Sequence, residues 1–353
     1  MKHADFIIVG QGIAGTLLAH FLEAAGKSVF VIDHYSPNAA SQVAAGIINP
    51  ITGRRYVKSW RVDDLIPFAV RTYRQLEAQL NIPIFHERNI IRTLFNQGEE
   101  NDWLARTGDP AYTPYMLDQP VLDQYATKTV LAYSYGEVTQ SGQTDLVRLT
   151  GAYRKYLKSK GALLEDHFDY SLLTLTPEQA TYKNVVSASQ LIFAEGHLGT
   201  QNPYFNYLPF GGAKGEVLIV RIPGADFEKI LKHRVFIVPL ADSGLYWIGS
   251  TYDWKFDDDQ PTSRGRDYLE QRLKDVLSLP FDVVEHRAAV RPTVKDRRPF
   301  LGQHPEFPAL AIFNGLGTKG ASLGPYWAHH LAAHLVNGNE LDEAVDIGRF
   351  AKQ

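Results

Sequence analysis

Apolar residues recur along this chain with two periods, and both appear within the first turns. Residues 5–9 are a β-branched and aromatic run that stops at Gly10, as a buried strand would. Over residues 13–25 the apolar positions Leu17, Leu18, Phe21, Leu22 and Ala25 fall at helical spacing, and Gly26 supplies a stop. Residues 28–32 are a second apolar run that ends at Asp33. Strand, helix and strand in so short a stretch make a βαβ unit, because parallel neighbours need a crossover rather than a tight hairpin.

Farther on, residues 64–80 read as a helix, with Pro67 accommodated in its first turn and Pro83 ending it. Residues 82–135 mix short strands with turns rich in Pro, Gly and Asn. Residues 143–161 are helical again (Leu146, Leu149, Tyr153, Leu157), and 162–164 and 190–194 are strand-like. Residues 205–290 read mostly as strands, clearest at 216–220, 235–239 and 245–249, with one helix over 266–277. A strand over 310–314, a glycine-rich turn and a helix over 325–335 close the chain. The predicted fold class is α/β: a dinucleotide-binding domain of residues 1–81, 136–204 and 291–353 alternates with a strand-rich substrate domain of residues 82–135 and 205–290.

A length of 353 residues suits two domains of ~150 residues each. Hydrophobic residues at 44% and charged residues at 21% exclude disorder or a coiled coil as the overall description. Lys and Arg number 36 against 39 Asp and Glu, a net charge of −3, so the strong positive field of a dedicated nucleic-acid binder is missing. A local basic patch is still compatible, and Arg54, Arg55 and Lys58 form a small one, read as a solvated helix start. There is no cysteine, which excludes disulfides, thiolate nucleophiles, iron–sulfur clusters and attachment of a cofactor through sulfur. His330 and His334 share a helical face without a third ligand, so no metal is expected. No apolar run approaches the ~18 residues of a membrane helix, and the apolar start meets Gly10 without a cleavage pattern, so a cytoplasmic location is expected.

Gly10-Gln11-Gly12-Ile13-Ala14-Gly15 lies between a strand and a helix, the setting in which a GxGxxG pattern has meaning. Gly10 permits the tight turn, Gly12 lets the backbone approach a pyrophosphate, and Gly15 lets helix and strand pack closely, while the N–H groups at Ile13 and Ala14 face phosphate oxygens. Asp33, with His34 beside it, closes the second strand where a carboxylate accepts from ribose hydroxyls and repels a 2′-phosphate. The fingerprint by itself fits FAD or NAD. Ala40-Ser41-Gln42-Val43-Ala44-Ala45-Gly46-Ile47 follows, and its small residues (Ser41, Ala44, Ala45, Gly46, Ile47) allow a loop to lie against a flat cofactor.

The fingerprint, the Ala-Ser-x-x-Ala-Ala-Gly loop and the C-terminal half resemble the D-amino-acid oxidase superfamily of FAD enzymes. Glycine and sarcosine oxidases belong to it, as does the flavin domain of the enzyme that trims carboxymethylaminomethyl-uridine in tRNA. The C-terminal anchors are Val290-Arg291-Pro292-Thr293, Asp296-Arg297-Arg298-Pro299-Phe300-Leu301-Gly302 and Asn314-Gly315-Leu316-Gly317-Thr318-Lys319-Gly320. The resemblance implies a Rossmann-like FAD domain with a second domain of mixed or antiparallel sheet. It implies non-covalent FAD and a small amine or amino acid substrate whose C–N bond is oxidised.

Carried onto this chain, the resemblance makes Arg291 the grip on a substrate carboxylate, the alternative being an interdomain ion pair. Gly302 and the bend Gly315, Leu316, Gly317, Thr318, Lys319 and Gly320 would lie by the flavin, Lys319 adding a cation or standing as a surface lysine. Ala194 and Gly196 would close over the dinucleotide, and the Phe168 backbone would meet adenine. Lys214-Gly215-Glu216 and Gly249-Ser250-Thr251 would lead into and out of the substrate sheet, with Tyr252 and Trp254 lining the pocket. Two other readings stay open: removal of a carboxymethyl group from a tRNA wobble uridine, and a flavin-binding subunit without turnover.

Overall fold

The computed structural model describes residues 1–350, apart from 121, 123, 124, 126, 242 and 243. Its first part is built from β1 (Lys2–Val9), α1 (Ile13–Ala24), β2 (Val29–Ile32), α2 (Val62–Leu80), β3 (Ile90–Leu94) and α3 (Gln97–Thr107). Next come β4 (Ser134–Val138), α4 (Leu146–Ser159), β5 (Leu163–Leu164), β6 (Val186–Phe193), β7 (Phe210–Arg221), β8 (Ile230–Lys232), β9 (Phe236–Pro239) and β10 (Leu245–Gly249). The chain ends with α5 (Ser263–Lys274), β11 (Asp282–Val294), β12 (Phe300–Gln303), β13 (Leu310–Asn314) and α6 (Gly320–Asn337).

Strands β5, β2, β1, β6 and β13 lie side by side and parallel, and β12 runs antiparallel at the edge. Parallel strands covered on both faces need unbroken apolar runs, and every residue of β2 and the last four of β1 are buried. On one face α1, α4 and α6 pack Leu17, Leu18, Leu149, Tyr153 and Trp327 into the main core. On the other, an aromatic cluster of Phe193, Phe205 and Phe300 seals the sheet. Each such side chain stabilises the fold by about 1.5–3 kcal/mol on burial.

The second sheet runs β11, β7, β10, β9, β8, β3, β4, antiparallel except where β8 pairs parallel with β3. Leu218, Val220, Ile237 and Ile248 pack on one face under Leu269 and Leu273 of α5. Val217, Ile219, Ile230, Val238, Trp247 and Ala289 face the other way and merge with the core of the first domain. Because side chains alternate along a strand, this assigns positions to a face up to the bulge that shifts the β7–β11 register at Ile219–Val220. The inner face, toward the first domain, carries Gly215, Gly249 and Arg291. The Trp247 indole N–H donates to the Val43 carbonyl at 2.8 Å, tying the two domains together.

Several boundaries differ from expectation. The division at 135/136 cuts β4 and the division at 290/291 cuts β11, both strands of the second sheet. Glycines and charged residues break the apolar alternation of β11 and of the start of β7, which hid their full lengths. Helix α3 lies in a stretch expected to hold only strands and turns, and Asn96 caps it by accepting from the Glu99 N–H. Residues 142–144 form a short strand, so α4 starts later than expected, with Asp145 as its cap. Pro67 and Pro325 both stand inside helices rather than at their starts. At Pro325 the carbonyl that loses its helical donor is Ala321 O, and the Tyr73 hydroxyl donates to it at 2.7 Å instead. Arg54 and Arg55 sit in the turn of a hairpin between Ile51–Thr52 and Val57–Lys58, not at a helix start, and Lys58 pairs with Asp63 at 2.7 Å. His330 accepts from the Asp342 N–H, and His334 meets the Asn339 carbonyl. No helix of the described residues is long and apolar enough to cross a membrane.

Candidate active site

β1 delivers Gly10 at φ 101°, where a Cβ would stand 2.5 Å from the Ala194 carbonyl oxygen. A Cβ on Gly15 would stand 1.9 Å from the Gly10 oxygen, so α1 lies directly on the end of β1 and neither position accepts a side chain. Ser41 Oγ accepts the Ile13 N–H at 3.0 Å and would meet a Cβ on Gly12 at 3.1 Å. Helix α1 has no side-chain cap and no acidic residue in its first turn. Its remaining first-turn N–H groups, with that of Ala14 among them, are free to meet phosphate oxygens.

Asp33 ends β2 as expected, and it is already engaged. Its Oδ1 accepts the Gln11 N–H at 2.8 Å and its Oδ2 accepts from Arg154 at 2.5 Å. Arg154 comes from the polar side of α4 and also holds Glu165 at 2.9 Å, and nothing in the sequence marked it. A carboxylate offers about four acceptor sites, so Asp33 keeps capacity for ribose hydroxyls. The arginine offsets the negative charge that was expected to repel a 2′-phosphate. His34 stacks on His167 at 3.6 Å, and the Asp166 N–H donates to the Asp33 carbonyl at 3.3 Å. Phe168 follows at once, its ring stacked on Tyr182 at 4.5 Å, which leaves the backbone as the part that can face a ligand.

Beside Ala194, the Glu195 carboxylate accepts from the Tyr170 hydroxyl at 2.6 Å and from Asn202 Nδ2 at 2.8 Å. Withdrawal from water pushes its pKa up to about 7. At the next residue, the Gly196 carbonyl accepts from Asn314 Nδ2 at 2.9 Å, joining the end of β6 to the end of β13.

From Asn314 the chain enters the glycine bend, with Gly315 at φ 78° and Gly317 at φ 57°. Leu316 is buried, and a Cβ on Gly320 would lie 3.4 Å from Ile13 Cγ2, so this bend meets the opening turn. Helix α6 also starts without a side-chain cap or an acidic first turn. Lys319 Nζ donates to Ser59 Oγ at 3.1 Å, and burial first, then Arg297 and Arg298, hold its pKa below the ordinary lysine value. It is therefore a half-buried brace rather than a surface lysine. Gly302 departs from expectation: it pairs with Ile312 within the sheet, and a Cβ there would meet Ile347 at 3.0 Å. Its positive φ of 136° serves packing against the C-terminal segment, away from the crevice.

The small-residue loop is anchored from both domains. Trp247 holds Val43, as described, and Gly46 at φ 69° would place a Cβ 1.8 Å from the Thr144 oxygen. Ala45 is buried, Ala44 exposed, and Ile47 pairs with Gln143.

Arg291 gathers the remaining motifs. Its NH2 donates to Ser250 Oγ at 2.7 Å and to the Thr251 carbonyl at 3.2 Å, and its NH1 donates to the Ala213 and Lys214 carbonyls at 3.3 and 3.2 Å. A Cβ on Gly215 would fall 2.0 Å from the guanidinium, so the arginine lies flat over that glycine. Tyr252, half exposed, packs its ring 4.9 Å from the guanidinium carbon, and Trp254 meets Tyr252 edge-on at 5.0 Å. Among the described residues no carboxylate lies within 4 Å of Arg291, so the interdomain ion pair is not formed there. Burial lowers its pKa, and a desolvated cation held only by neutral acceptors is suited to an anionic ligand.

These observations fit FAD: two helix starts without side-chain N-caps meet at Ile13 and Gly320, and Gly10 and Gly15 allow a strand–helix turn that any side chain there would force apart. The chain matches the family DAO, FAD dependent oxidoreductase, over residues 5–334. It is 25% identical over 365 residues to a glycine oxidase of Bacillus licheniformis, covering 96% of this chain and 94% of that one. It is 26% identical over 350 residues to the tRNA 5-methylaminomethyl-2-thiouridine biosynthesis bifunctional protein MnmC of Caulobacter vibrioides, covering 94% of this chain and 54% of that protein. The structure of glycine oxidase from Geobacillus kaustophilus superposes with a TM-score of 0.81 at 21% identity, over 100% of this chain and 99% of that one.

Proposed function

The chain belongs to the DAO family of FAD dependent oxidoreductases, and from that premise we propose that it oxidises the C–N bond of an amine that carries a carboxylate. The substrate class is an amino acid or an N-substituted glycine. One observation carries this reading: the buried guanidinium of Arg291, held by Ser250 and three carbonyls, has no carboxylate of its own among the described residues.

In this reading, the Gly12, Ala14 and Gly15 backbone and the Ser41 hydroxyl, which itself holds the Ile13 N–H, face the pyrophosphate and Asp33 the ribose, while Ala44 to Ile47 and the bend from Gly315 to Gly320 flank the ring. FAD, when bound, supplies the hydride acceptor. The protein's contribution is placement. Arg291 offers a planar fork that fixes a carboxylate in two directions, which orients the neighbouring C–H. Ser250 and the Gly215 backbone hold that fork still, and Tyr252 packs on its face. The hydride leaves the carbon, the amine loses a proton, and the resulting imine is hydrolysed by water.

Kinetics of Arg291→Met test the assignment. The Michaelis constant for a carboxylated amine is expected to rise at least tenfold while the protein keeps its FAD content, since a charge-assisted pair contributes about 1.5–3 kcal/mol. Unchanged kinetics would remove Arg291 from the site.

A further inference from the structure

We propose that the substrate carries a second anionic group, and that Arg92 and Lys232 receive it on the same sheet face as Arg291. The inference rests on the carboxylated-amine reading above and adds a length and a second charge to it.

The register of the second sheet places these residues in one row. Arg92 on β3 pairs with Lys232 on β8, Lys232 pairs with Phe236 on β9, and Phe236 pairs with Gly249 on β10. Gly249 directly precedes Ser250, whose Oγ accepts from Arg291. The row alternates in step with Ile90, Ile230, Val238 and Trp247, which all pack into the core shared with the first domain. All three cations therefore stand on the inner face. Neighbouring strands are about 4.8 Å apart, so Lys232 lies about 10 Å across the sheet from Gly249. Its ammonium lies over the ring of Phe236, 4.2 Å from the centroid, and that strand stands between the two cationic positions.

Two like charges on paired positions repel, and both here are partly withdrawn from water. Burial lowers the pKa of Arg92 and, with Arg92 adding to it, brings Lys232 down to about 8. The buried Lys214 on β7 and Lys229, just before β8, have acids: Lys214 meets Asp258 at 3.2 Å and Lys229 meets Glu137 at 2.9 Å. Among the described residues the hydrogen-bond and ring partners of Arg92 and Lys232 are neutral, and Glu99 acts on Arg92 only from beyond ion-pair distance. Arg92 reaches the Gly53 carbonyl at 3.5 Å and the Tyr56 ring, and Lys232 donates to the Arg234 carbonyl at 3.2 Å. Among the described residues no carboxylate lies within 4 Å of either. A rigid guanidinium beside a mobile ammonium suits a carboxylate or a phosphate-type acid. A shared anion would relieve the repulsion that the fold leaves standing.

The test uses the FAD-loaded protein and the shift in flavin absorbance on binding anions that cannot be oxidised. Butyrate is compared with the straight-chain dicarboxylates from malonate to pimelate and with 4-phosphonobutyrate. A dianion of intermediate length is expected to bind about tenfold or more tighter than butyrate, and Lys232→Met and Arg92→Met are each expected to reduce that preference several-fold. The better of glutarate and 4-phosphonobutyrate identifies the acid, and a preference for either supports the proposal. Dianions that bind no tighter than butyrate, while Arg291→Met still abolishes butyrate binding, overturn the second subsite and leave the Arg291 grip intact. A dianion preference that persists without Arg291 dependence overturns the grip instead. Should a variant fail to retain FAD, the chain-length profile of the unaltered protein decides by itself.

Discussion

Gly320, at the start of the last helix, lies against Ile13, at the start of the first: a Cβ on the glycine would sit 3.4 Å from Ile13 Cγ2. Residues more than three hundred positions apart thus bring two helix starts without side-chain N-caps against one another. A single dinucleotide can use both, because each presents free N–H groups and the positive end of a helix to negative charge.

Gly15→Ala tests the first of those helix starts. The added methyl would stand 1.9 Å from the Gly10 backbone oxygen, so α1 must move off β1. The variant should lose at least tenfold in FAD affinity and about 1–3 kcal/mol in stability. Fluorescence titration with FAD and urea denaturation of the FAD-free protein check the two separately.

Glu195 makes stability depend on pH. Its folded pKa of about 7 lies above its ordinary value of 4.5, so the folded state binds more protons than the unfolded state between those values. Its contribution is fully present below pH 4.5 and is lost as pH rises through 7. Glu195→Gln should leave stability at pH 4.5 little changed and raise it at pH 8, by ~3 kcal/mol at most. Urea midpoints at the two pH values measure the difference, and equal effects at both would contradict it.

Arg154→Met would leave Asp33 without its cation. The pair is partly screened, with the arginine side chain 11% and the aspartate 17% exposed, so the expected loss is about 1–2 kcal/mol rather than the larger cost of a fully buried pair. FAD affinity should fall as well, because Asp33, the proposed acceptor for the ribose, is no longer held in place. A variant with wild-type stability and affinity would show that the pair is incidental.

Much of this was legible in the sequence. The fingerprint, the second strand ending at Asp33, and the C-terminal bend each carry a local pattern that demands its conformation, and each was found where expected. Ser250, Gly215 and Tyr252 belong to short motifs visible in the sequence, and they converge on Arg291. What the sequence concealed depends on contacts between distant segments. Arg154 is one polar residue on a helix face until α4 packs beside β2. Gly302 looks like a flavin-side glycine until β12 pairs with β13 and turns it toward Ile347. Arg92 and Lys232 are unremarkable charges until the strand register sets them opposite one another. The cap of α3 was readable in Asn96 and Glu99, but its polar helix has little apolar periodicity to announce it.

The most direct measurement is anaerobic mixing of the FAD-loaded protein with sarcosine and with dimethylamine, following the flavin absorbance. Bleaching by the carboxylated amine and not by its counterpart is the expected result. Bleaching by both alike, or a purified protein that binds no FAD, would contradict the site proposed at Ile13, Gly320 and Arg291.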